Sequence, residues 1–112
     1  MSLSTSKREE IIRMKIEISE KALQWFKDEV GLEEGDKVRF FTQIYGSSPI
    51  QENYALAFTI DNDTSDAVVS TVSDGITFFI NEADLWFFKE HDLYVEYNEV
   101  LDEVKYEYKK GD

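Results

Sequence analysis

Few residues in this chain could do chemistry, and the absences narrow the choice further. There is no cysteine and a single histidine, His91. Without cysteine there are no disulfides, no thiolate nucleophile and no thiolate ligation of iron or zinc. His91 is followed by Asp92, with Glu96 a little further on. Together they offer one imidazole and two carboxylates, a weak oxygen-rich metal set, so no high-affinity metal site is expected. The competing role for His91 is structural, because a histidine at a helix C-terminus is satisfied by the dipole and the terminal carbonyls. That role is favoured here. No Ser/His/Asp triad is credible, since His91 follows a helix and no Gly-rich nucleophile turn is present.

Asp61-Asn62-Asp63-Thr64-Ser65-Asp66 opens like a calcium loop. Asp66 stands where glycine is required and Val72 where the bidentate glutamate is required, so the segment reads as a solvated turn. There is no GxGxxG fingerprint and no phosphate-cradling P-loop. No acid, base and nucleophile set stands out from the carboxylate background, so no catalytic residue is assigned and the chain is not expected to be an enzyme. What remains is a contact surface. Gly46-Ser47-Ser48-Pro49-Ile50-Gln51-Glu52 is longer than a tight hairpin needs. Surplus loop length is where binding concentrates, a plain connector being the alternative. With its flanking aromatics the loop supplies the partner-binding candidates Tyr45, Gly46, Ser47, Ser48, Pro49 and Tyr54.

The elements that must position these residues show in the periodicity. Gly75–Tyr97 concentrates apolar and aromatic side chains into a strand, helix, strand pattern. Ile76, Phe78 and Ile80 alternate, Asn81 stands where an N-cap should, a short helix runs to about Glu90, and Leu93, Val95 and Tyr97 alternate again. Upstream, Met14, Ile16 and Ile18 read as a half-buried strand. A helix follows that is capped by Ser19, carries Ala22, Leu23, Phe26 and Val30 on one stripe, and is closed by Gly31. Trp25 lies off the stripe and is expected to fold back onto its own domain. From Lys37 both faces of a strand are partly apolar, which marks it as central. Tyr54–Ile60 and Ala67–Val72 follow, and Asp74-Gly75 signals a tight hairpin into Ile76–Ile80, giving a β-meander. Val104, Tyr106 and Tyr108 make the last strand.

The expected fold is therefore mainly β with two or three short helices and about seven short strands. Residues 1–13 are read as an N-terminal extension, partly flexible or a short helix, 14–108 as one domain, and 109–112 as a frayed tail. At 112 residues, with 42% hydrophobic content, the chain can bury one core without a metal or disulfide. Its net charge of −12 repels phosphate backbones, and Phe40–Phe88 contains no Lys or Arg, so neither nucleic acid nor a membrane surface is expected as partner. With no export signal or apolar span, a cytoplasmic location is expected. The sequence sets no oligomeric state, and a homodimer is compatible with it.

The whole span from Met14 to Tyr108 resembles the HesB/IscA-like family of iron–sulfur cluster biosynthesis proteins, in particular a HesB-like branch of Gram-positive bacteria. Ile16-Glu17-Ile18-Ser19-Glu20-Lys21-Ala22-Leu23 with Trp25-Phe26 is similar to that family's first strand and helix, and Val38-Arg39-Phe40 to its second strand. Tyr54-Ala55-Leu56-Ala57-Phe58 is similar to the strand after its cysteine loop, and Asp74-Gly75-Ile76 with Ile80 and Asp84-Leu85 to a later segment. The resemblance implies a HesB-like pseudo-barrel or sandwich capped by helices over 14–108. It also implies a role related to A-type carriers, with iron–sulfur assembly proteins as partners. The family's cluster-binding cysteines are missing. The loop cysteine would fall near Ser48, and the terminal Cys-Gly-Cys pair would follow Tyr106-Glu107-Tyr108. Iron or a cluster is thus implied by resemblance alone, and the isolated chain is expected to bind no cofactor. The alternative is a protein- or small-ligand-binding module with no iron role.

Overall fold

The computed structural model describes residues 14–44, 46, 48–51 and 53–110. In chain order the elements are β1 Ile16–Ile18, α1 Glu20–Trp25, β2 Lys37–Gln43, β3 Ala55–Ile60, β4 Ala67–Ser73, β5 Ile76–Asn81, a 3-10 helix Glu82–Phe88, β6 His91–Asn98 and β7 Glu103–Lys110. α1 continues as a wider π turn through Phe26–Val30 and stops at Gly31, whose φ of 83° is the left-handed conformation glycine adopts without strain. The Ser19 hydroxyl accepts the Ala22 amide at its N-terminus, as the cap spacing predicts.

Two sheets stack about one core. One has the order β3-β2-β5-β4, the other β1-β6-β7. The predicted meander is corrected here. β2 lies between β3, antiparallel, and β5, parallel, so β4 reaches the sheet only through its hairpin with β5. The apolar side chains on both faces of β2 account for this central place, since an edge would leave one row of backbone groups and part of that apolar surface in water. Asp74 and Gly75 both take positive φ, 51° and 79°, as a type I′ turn between β4 and β5 requires. β1 and β6 run parallel, with Ile16 opposite Leu93 and Ile18 opposite Val95.

Aromatic packing joins the layers. Phe26 of the α1 continuation meets Phe58 at 5.1 Å and Phe78 at 5.2 Å between ring centroids, seating the helical segment on the four-stranded sheet. Phe40 meets Tyr106 at 5.8 Å across the two sheets. Phe87 and Phe88 of the 3-10 helix both pack on Tyr108. Phe26, Phe40, Phe78, Phe79, Phe87 and Phe88 are fully buried. Truncating any one to alanine costs about 3–5 kcal/mol, a large share of the roughly 5–15 kcal/mol that holds a typical domain folded.

Three further expectations change. The helix after β5 is 3-10 and ends at Phe88, because Lys89 and Glu90 take positive φ of 48° and 66°. Asn81 does not cap it with its side chain, and its Oδ1 is buried without a partner. β7 runs to Lys110, past the predicted end at Tyr108. Asp92 pairs with Lys109 and His91 with Lys110, and the Lys109 ammonium sits 4.3 Å over the Tyr94 ring. The expectations for residues 1–13 and for Gly111 and Asp112 lie outside the described residues. Among the described residues no helix is long and apolar enough to cross a membrane.

Candidate functional site

The three residues read as a weak metal set do not converge. His91 Nδ1 lies 2.8 Å from the Phe88 carbonyl, which can only accept, so this nitrogen carries the proton and closes the end of the 3-10 helix. Asp92 Oδ1 accepts the Lys15 amide at 2.9 Å, tying β6 to the segment before β1. Alternation along β6 puts His91 and Asp92 on opposite faces, and Glu96 about 13 Å beyond Asp92, too far to share an ion. Among the described residues no group of three or more His, Asp or Glu could hold one.

The described part of the Gly46–Glu52 loop, Gly46 and residues 48–51, is closed by bonds between Ser48 and Gln51. Ser48 Oγ accepts the Gln51 amide at 3.1 Å, and the Ser48 amide donates to the Gln51 carbonyl at 3.1 Å. The Ser48 hydroxyl therefore works inside the loop. A Cβ on Gly46 would come within 2.8 Å of Ala55 Cβ, so only glycine lets the chain leave β2 this close to β3. Tyr54 is half-buried and meets Trp86 edge-on at 5.1 Å. Pro49 is exposed. Tyr45 and Ser47 lie outside the described residues.

The calcium-like segment is a ladder of Asx turns. Asp61 accepts the Asp63 amide, and Asp63 accepts the Ser65 amide and hydroxyl. These bonds hold both carboxyls below their usual range, with Arg39, 2.9 Å from Asp61, adding to the effect at Asp61.

A different surface has the properties of a contact site. It is the tip of the β6–β7 hairpin, Asn98-Glu99-Val100-Leu101-Asp102, together with the face of α1 beside it. Asn98 Oδ1 accepts the amides of Val100 and Leu101, and the Asp102 amide donates to the Asn98 carbonyl at 2.8 Å. The tip is thus one closed turn. α1 and β6 then pin it from below. The Trp25 indole donates to the Asp102 carbonyl at 2.9 Å, the Tyr97 hydroxyl to the Asp102 carboxylate, and Lys21 pairs with Glu99 at 2.6 Å. The hydrogen bond and charge of Lys21 hold the Glu99 carboxyl low, and Glu99 raises Lys21 in return. The bond to Asp102 pushes the Tyr97 hydroxyl up.

The apolar side chains at this tip face water, Val100 91% exposed and Leu101 62%. Below them an open groove of about 210 Å³ is lined by Gln24, Asp28, Glu29, Tyr97 and Asp102, among others. Sequence reading missed this surface, although it flagged Trp25. The available signal was Val100-Leu101 at the centre of a turn, where Asn, Asp, Gly and Ser usually stand.

No family model matches the chain. A protein of Bacillus subtilis (strain 168) named pyruvate dehydrogenase inhibitor is 47% identical over 95 residues, which are 85% of this chain and 99% of that protein. Uncharacterised proteins of Staphylococcus saprophyticus and Staphylococcus epidermidis are 37% and 33% identical over 95 residues, 83% of this chain and 97% of each. These findings overturn the resemblance to HesB/IscA proteins. No model of that family is matched, and the named relative is an inhibitor with no iron–sulfur designation. The resemblance rests on the order and spacing of short strand-and-turn motifs, which small β domains share, whereas the similarity to the Bacillus protein is 47% residue identity over 95 residues. At that identity and coverage, the chain belongs to the family of the Bacillus subtilis pyruvate dehydrogenase inhibitor and its staphylococcal relatives.

Proposed function

We propose that this chain is a non-catalytic protein that binds pyruvate dehydrogenase and lowers its activity. The observation that carries the reading is the 47% identity along 99% of the Bacillus protein that bears that name. The fold is consistent with a binding role. The core is filled by aromatic and aliphatic side chains, and His91 Nδ1 donates its hydrogen bond to the Phe88 carbonyl. A net charge of −12 on 112 residues favours a partner with a basic surface. In this reading the chain acts in the cytoplasm and needs neither iron nor a cluster.

The test is titration of the metal-free chain into a pyruvate turnover assay with pyruvate dehydrogenase from the same source. Turnover should fall with a stoichiometric break or a saturable curve, and the two proteins should co-elute in gel filtration. Undiminished turnover with the chain in large excess would overturn the proposal.

A further inference from the structure

We propose that the β6–β7 hairpin tip is the docking knob of this protein, seating Val100 and Leu101 in an apolar pocket of pyruvate dehydrogenase whose rim is basic. The inference rests on the function proposed above and names the surface that performs it.

A turn of this length requires polar groups to satisfy its amides and one residue tolerant of positive φ. Asn98 and Asp102, whose φ is 55°, supply both. Nothing in that chemistry calls for valine and leucine at the centre. Leaving a valine or leucine exposed forgoes the free energy of burying it. Isolated exposed apolar residues are common on monomers. Here two are adjacent, at the apex of a hairpin, while the polar groups around them are engaged at the surface by Trp25, Tyr97 and Lys21.

The same contacts lower the conformational part of the cost of docking. The turn is closed by its own hydrogen bonds and bonded to α1 through the Trp25 indole, with the exposed Lys21–Glu99 pair adding little, so less backbone freedom is left to lose when a partner covers it. Apolar side chains on a preorganised turn, ringed by polar residues, match the apolar centre and polar rim of a protein interface.

The rim sets the partner's charge. Asp28 and Glu29 of the α1 continuation lie beside Asp102 in the groove, and Lys21, the cation there, is paired with Glu99. The surface facing a partner is therefore apolar at the apex and acidic at the flank. Its complement is an apolar pocket edged by Lys or Arg.

The test uses the full chain with Val100→Asp and Leu101→Asp together. Both side chains are exposed, so the melting temperature should hold. Val72→Asp, exposed on edge strand β4 away from the tip, serves as the control. Binding to pyruvate dehydrogenase by calorimetry, and inhibition of its turnover, should weaken at least about tenfold in the tip variant and stay at the wild-type level in the control. Glu29→Lys should weaken binding and flatten its salt dependence. Tight binding and inhibition by the folded tip variant would overturn the assignment of the knob while leaving the inhibitor reading intact. Absence of binding by the wild type would overturn both. A wild-type dimer that the tip variant converts to monomer, with enzyme binding unchanged, would assign the tip to self-association instead.

Discussion

Trp25 joins the helix, the four-stranded sheet and the hairpin tip, and its replacement separates two contributions that the structure keeps distinct. Its ring meets Phe26 at 5.4 Å and Phe58 at 6.1 Å, both edge-on, while its N–H reaches the Asp102 carbonyl at 2.9 Å. Trp25→Phe keeps a ring that can occupy the same cleft and removes the donor. A neutral hydrogen bond contributes about 0.5–1.5 kcal/mol net. The freed carbonyl lies near solvent and can rehydrate, which places the loss near the lower end, and the smaller ring adds a few tenths, for an expected total of about 1 kcal/mol. Trp25→Ala also removes two aromatic pairs, each about 0.5–1.5 kcal/mol beyond area burial, plus the buried part of the ring, so about 3 kcal/mol is expected. Urea denaturation followed by far-ultraviolet circular dichroism measures both, with unchanged m-values required for the comparison. Tyr97→Phe, which releases the other bond to Asp102, should couple to Trp25→Phe by about 0.5 kcal/mol or more, because both side chains hold one residue. Equal losses for Trp25→Phe and Trp25→Ala would refute the claim that ring packing dominates. A loss below about 1 kcal/mol for alanine would refute the anchoring of the tip by this indole.

Replacing Ser48 with alanine should cost about 0.5–1 kcal/mol in a denaturant melt, because the Gln51 amide loses its acceptor inside the loop. The inhibition of pyruvate dehydrogenase proposed above should be unchanged, and a selective loss of it would return the Gly46–Glu52 loop to the proposed contact surface. On the acid side, Asp61 and Asp63 are held below their usual value of 3.8, so their stabilisation is complete above it and is lost as pH falls through the lowered values. Unfolding free energy should therefore drop below about pH 4, and Asp63→Asn should make that drop shallower. On the alkaline side, burial pushes the Tyr106 and Tyr108 hydroxyls well above the usual 10.0, so the unfolded chain releases protons that the folded chain keeps. Stability is full below pH 10 and should fall above it. Tyr108→Phe should flatten the fall, and an unaltered alkaline slope would show that the tyrosine is ionised in the folded state.

Period-two runs and turn chemistry carried most of the secondary structure, because both are local properties of backbone and burial. Ser19 as N-cap, Gly31 as stop and Asp74-Gly75 as hairpin turn are each legible from residue type, since the geometry they satisfy involves only their near neighbours. The central place of β2 was legible too, from its two apolar faces. What sequence did not decide was which strands pair. A meander and the observed β3-β2-β5-β4 order use the same strands with the same alternation, and they differ only in contacts between distant segments. Asn81 shows the limit for caps, because it stands at the N-cap position with the extended backbone a cap needs and its side chain still bonds no first-turn amide.

The sequence by itself determined a small, acidic, cysteine-free β domain with an aromatic core, and excluded thiolate chemistry outright, since those follow from composition and period alone. Only the tertiary structure decided where a partner could be met. Lys21 and Glu99, or Trp25 and Asp102, stand far apart in the chain and become neighbours when β6 and β7 return across α1. That return bonds Glu99 to Lys21 and Asp102 to Trp25 and Tyr97, and leaves Val100 and Leu101 facing water. Residue type can state that valine is apolar. Whether it is buried is set by what the rest of the chain brings to cover it.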